Sequence, residues 1–108
     1  MIMQKGEIPM TVMMIRAKVK EESVKDIESA VQTMFAALDL VQPKGVRYAS
    51  SQLSDGATFV ILLALENPAE NPLPAIPEFR AFQDGLRGWL AEPPTSEKLS
   101  VVGSYNLF

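Results

Sequence analysis

Residues 57 to 66 read ATFVILLALE, an apolar run in the middle of the chain. The run is too short to cross a bilayer, which takes about 20 apolar residues. It is also too continuous to alternate between a wet and a dry face. It reads as a strand covered on both sides. Such a strand belongs in the interior of a sheet, and the rest of the chain has to be arranged around it.

The flanking segments supply the neighbours. Thr11 to Lys20 reads TVMMIRAKVK and ends in alternation, with Ile15, Ala17 and Val19 on one side and Arg16, Lys18 and Lys20 on the other. This is a second apolar strand. Ser23 is placed to cap the helix that follows, with Asp26 three residues on. Val24, Ile27, Val31, Met34, Leu38 and Val41 then recur at steps of three and four, forming one apolar stripe that stops before Pro43. Val46 to Leu53 alternates with more polar residues, as an edge strand does, and Ser54-Asp55-Gly56 is a hairpin turn. Asn67 to Pro77 holds Pro68, Pro72, Pro74 and Pro77 and reads as a stiff loop. Pro77 suits the first turn of a second helix carrying Phe79, Phe82, Leu86, Trp89 and Leu90. Gly85 and Gly88 weaken that helix and admit close packing. Pro93-Pro94 ends it, and Leu99 to Phe108 is expected to be the last strand.

The order β-α-β-β-α-β with right-handed crossovers predicts an α+β ferredoxin-like sandwich. Its sheet is antiparallel, in strand order 4-1-3-2, with two helices on one face. The first and third strands are then central, and these are the two most apolar ones. Residues 1–108 form a single domain, of which residues 1–10 are an N-terminal arm. Because the third strand is apolar on the face the helices leave open, a second copy of the chain is expected to cover it. The competing arrangement folds the arm or the Pro-rich loop over that face.

Composition excludes several function classes. The 108 residues contain no histidine and no cysteine. That removes a Ser-His-Asp triad, a thiolate nucleophile, disulfides and the commonest metal ligands, so no metal or cofactor is expected. The net charge of -3, with basic and acidic residues interspersed, offers no patch for a nucleic-acid backbone. No segment reads as a membrane span or signal peptide, and the lack of cysteine suits the cytoplasm. The six methionines, clustered early, read as soft core or interface filling.

Three residues stand out as ligand-binding candidates. Arg16 lies among apolar neighbours on a central strand, where an unpaired guanidinium is costly. It pairs with an acid, reaches out at the rim, or binds an anionic group. Tyr48 shares a side with Ser50 and either aims its hydroxyl into a pocket or is a half-exposed edge residue. Trp89 either stacks on a flat ligand or packs in the core. Glu66 would serve as a base only if burial raised its pKa. Paired carboxylates at metal spacing, GxGxxG and P-loop patterns are absent, and catalytic residues are not assignable.

The layout resembles the antibiotic biosynthesis monooxygenase-like family of the dimeric α/β-barrel superfamily. The likeness runs from Thr11 to Phe108. It rests on the strand order, on the strand ending in Leu65-Glu66, on Pro77-Glu78-Phe79-Arg80-Ala81-Phe82 leading into Gly85-Leu86, and on Gly103-Ser104-Tyr105. It implies a homodimer with a pocket between sheet and helices. It also implies oxidation of a small, flat, hydrophobic quinol- or polyketide-like molecule without metal or flavin. Family members often carry Trp after the third strand's Glu and His early in the second helix. Here Glu66 is followed by Asn67 and Pro68, and the chain has no histidine, which removes haem degradation. The alternatives are a non-catalytic dimeric binding or assembly module, and an isomerase-type relative using Glu66.

Overall fold

The structure is a computed structural model that describes residues 10–107. Its strands are β1 (Thr11–Lys18), β2 (Val46–Gln52), β3 (Thr58–Leu65) and β4 (Thr95–Leu99), and its helices are α1 (Val24–Val41) and α2 (Pro77–Trp89). The sheet runs β2-β3-β1-β4, fully antiparallel. This is the expected ferredoxin-like order, with the two apolar strands at its centre. Apart from Met10, the expected N-terminal arm lies outside the described residues.

Strand register sorts the side chains onto two faces, because successive residues alternate and directly paired residues share a side. Ala17 pairs with Phe59 and Tyr48 with Leu63. Phe59, Tyr48 and Leu63 pack with Ile27 and Met34 of α1 and with Phe79 and Phe82 of α2 in one cluster, which defines the helix-covered face. The Pro-rich loop contributes as well. It folds as two short 3-10 turns, and Leu73 of the second turn and Ile76 directly after it are buried in the same core. Asn67 and Asn71 side chains accept from the Ala69 and Leu73 amides and fix those turns.

The opposite face carries Met14, Arg16, Val60 and Leu62. No helix among the described residues covers it, and Met14, Val60 and Leu62 are half-buried. At one end of this face Arg47, Ala64, Val12 and Leu99 form a single cross-strand row. The chain after Leu99 spans the width of the sheet, and the Leu107 carbonyl accepts a hydrogen bond from Arg47 at 3.4 Å. Val12 and Ala64, in the middle of that row, are fully buried.

Two expectations need correction. The last strand is Thr95–Leu99, not Leu99 to Phe108. Pro93-Pro94 hold the backbone extended, so pairing with β1 begins directly after them. The strand is short and charged, as an edge strand is, which hides it from a search for apolar runs. The more apolar stretch beyond it has no strand among the described residues, and Val102 and Tyr105 are exposed. Ser23, expected to cap α1, occupies the N-cap position, but its side chain makes no capping bond. A 3-10 turn at Glu21–Ser23 leads into the helix, and Ser23 itself is buried.

The ends of β1 and α2 are tied together. The Lys20 amide donates to the Trp89 carbonyl at 2.8 Å and the Ala91 amide to the Lys18 carbonyl at 2.8 Å, flanking a bridge between Val19 and Leu90. The Trp89 ring folds back over Gly85, where a Cβ would come within 2.5 Å of the indole Cη2. Gly88 faces open space. In urea melts, Gly85→Ala should cost about 1 kcal/mol or more, because overpacking by about 1–3 kcal/mol exceeds the gain in helix propensity. Gly88→Ala should stabilise by about 0.5–1 kcal/mol.

Asp55 organises the hairpin between β2 and β3. One carboxylate oxygen accepts from the Ala57 and Thr58 amides, both at 2.9 Å, and the other from the Thr58 hydroxyl at 2.7 Å. The Thr58 hydroxyl bond, followed by the two amide bonds, lowers the Asp55 pKa to about 2. A depressed carboxylate stabilises the fold at pH values above its ordinary 3.8, and that contribution fades as pH falls through about 2. Asp55→Ala should therefore lower the melting temperature at neutral pH and narrow its gap to the parent chain in acid, as thermal melts across that range would register.

Candidate functional site

The site begins with the way α1 stops. Gln42 turns left-handed at φ 51°, its amide donates to the Leu38 carbonyl at 2.8 Å, and Pro43 bars further helix. Gly45, at φ 75°, completes the reversal, and its carbonyl accepts from the Glu66 amide at 2.9 Å, so β2 starts beside the end of β3. The chain has turned back sharply, and a cleft of about 300 Å³ is left in the corner between α1 and β2. Phe35, Leu38, Pro43, Val46 and the Tyr48 ring supply its apolar lining, and Asp39 and Gln42 its polar side chains. This volume is at the lower end of the small-ligand range.

Tyr48 links the cleft to the core. Its ring lies 5.2 Å from Phe35 in a tilted arrangement and 6.3 Å from Phe79, edge to face. Its hydroxyl donates to the Met34 sulfur at 3.9 Å, a weak acceptor. Burial raises the phenol pKa to about 12, so Tyr48 is a neutral hydrogen-bond donor at any physiological pH.

The three candidates named from sequence do not converge. Tyr48 lines the cleft. Trp89 is on the same face of the sheet but at the far end of α2, folded over Gly85 and beside the Val19–Leu90 bridge. Arg16 is on the other face, exposed, between Val60 and Thr95. Sequence reasoning did not single out Asp39 and Gln42. Phe35, Asp39 and Gln42 do follow helical steps of four and three, so their common side was legible. That this side faces β2 depends on where the chain turns back. Glu66, the conditional base, is an exposed residue just past β3. Among the described residues no group of three His, Cys, Asp or Glu could hold a metal ion. No helix among them is long and apolar enough to cross a membrane.

Comparison with known proteins supports the expected resemblance at the level of fold. A protein from Nitrosomonas europaea named "putative antibiotic biosynthesis monooxygenase" superposes with a TM-score of 0.73 at 18% identity, over 92% of this chain and 96% of that one. One of the same name from Bacteriodes thetaiotaomicron gives 0.72 at 12% identity, over 86% and 90%. A third, from Caulobacter crescentus, gives 0.69 at 17% identity, over 87% and 91%. This chain shares their fold. No family model and no curated protein sequence matches it.

The buried phenol sets an alkaline limit on stability. Its pKa is raised in the fold, so its contribution is complete below the ordinary value of 10 and is lost as pH rises toward 12. That contribution is on the order of 2–3 kcal/mol. Ultraviolet titration should find one tyrosine ionising together with unfolding, and Tyr48→Phe should remove that phase.

Proposed function

We propose that the chain binds a small, flat, hydrophobic molecule in the cleft beside Tyr48 and, where that molecule is a quinol- or polyketide-like ring, oxidises it without a cofactor. The observation that carries this reading is the cleft itself, open to solvent and lined by Phe35, Leu38, Pro43, Val46 and Tyr48, with Phe35 and Tyr48 in ring contact. The likeness in fold to proteins bearing the monooxygenase name agrees with it. In such a reaction the deprotonated ring gives an electron to dioxygen. One oxygen atom is retained in the ring as a carbonyl, and the other leaves as water with the two hydrogens removed. The protein's part is to exclude water and to place a donor at the developing oxygen charge. Tyr48, neutral and with its hydroxyl on the weak Met34 sulfur acceptor, is the residue proposed for that bond, the hydroxyl turning from Met34 to the ligand. Oxygen uptake with anthrones or quinols should be measurable and should fall about tenfold or more in Tyr48→Phe. Absence of uptake across both classes would leave binding without oxidation.

A non-catalytic assembly module is the second reading. The half-buried Met14, Val60 and Leu62 on the face that no helix covers favour it. Both readings include a homodimer formed through that face, which also brings Arg16 to the interface. Native mass spectrometry should find a dimer, and Leu62→Glu should shift it to monomer with unchanged far-ultraviolet circular dichroism. A monomeric parent chain would remove the dimer from both.

A further inference from the structure

The walls of the cleft and its rim differ in kind. The apolar lining residues are Phe35, Leu38, Pro43, Val46 and Tyr48, while the polar side chains are Asp39 and Gln42, so the lining holds one carboxylate and no cation. Both residues sit where α1 ends. The last carbonyls of a helix lack amide partners within it, and the aligned peptide dipoles leave partial negative charge there. Basic residues in the last turn commonly offset that charge, and α1 has none in its last turn. Pro43, next after the left-handed Gln42, has no amide hydrogen to offer those carbonyls. Lys44 is exposed and does not line the cleft. Phe35 and Tyr48 also line the cleft, and aromatic rings attract cations.

From this we infer that the cleft selects flat aromatic molecules bearing a positively charged nitrogen substituent and disfavours those bearing a carboxylate. The inference rests on the cleft as the binding site proposed above, and it narrows the ligand class. It also bears on the chemistry. Oxidation begins from a substrate anion, which a negative rim opposes. A protonated alkylamine carried on the same ring, held at Asp39, offsets that repulsion. A phenol or quinol bearing an aminoalkyl side chain meets both requirements, and a carboxylated polyketide meets neither.

The test is fluorescence anisotropy of three probes of one shape on the full chain: aminoacridine, a cation; acridine, neutral at mildly alkaline pH; and acridine carboxylate, an anion. At low ionic strength the cation should bind tightest and the anion weakest. Asp39→Asn should weaken the cation by roughly three- to tenfold and leave the neutral probe nearly unchanged. Asp39→Lys should reverse the order. Asp39 is exposed on the helix surface, and unchanged circular dichroism would show that the variants fold. Equal binding of all three probes, or a cation affinity that ignores both substitutions, would overturn the charge selection while leaving the cleft as a site. No binding by any probe would remove both.

Discussion

The pairing of β3 between β1 and β2 is the constraint on which the rest of the molecule depends. Every residue from Thr58 to Leu65 pairs with β1, and Phe59 to Leu65 pair with β2 as well. One side of β3 anchors the core against both helices through Phe59 and Leu63, and the other presents Val60 and Leu62. At about 1.5–3 kcal/mol for each large apolar side chain fully buried, this strand outweighs any surface ion pair. The Asp84–Arg87 pair on α2, at 3.7 Å and largely exposed, is of the weak kind.

Much of this was legible in the sequence because it is written in apolar periodicity. ATFVILLALE specifies a central strand, and the α1 stripe and the alternation after Val46 each specify an element and the side it buries, although Val41 at the end of the stripe is exposed. What escaped is what periodicity does not encode. Thr95–Leu99 contains only one large apolar residue, and it is a strand because β1 offers it an open edge. Ser23 looked like a cap from its residue type, yet the chain enters α1 through a 3-10 turn that leaves the side chain buried.

The candidate site was legible in part. Tyr48 could be marked from its strand and its neighbours, and it does line the cleft. Arg16 and Trp89 were marked for chemical character, but strand alternation sends one to the opposite face and helix length sends the other to the far end of α2. Asp39 and Gln42 sit on the polar margin of a helix stripe, and such residues usually face solvent. Their significance arises only when Gln42, Pro43 and Gly45 fold the chain back and bring β2 alongside.

The position of Trp89 has a practical consequence. It is the chain's single tryptophan, and its ring rests on its own helix where α2 is latched to the end of β1. Its emission therefore reports whether that latch is closed, at the end of the helical layer remote from the α1–β2 corner. Tyr48 belongs to that corner. Loosening of the latch can thus be followed by tryptophan emission in an unlabelled sample, while the tyrosine signal is shared between Tyr48 and the exposed Tyr105.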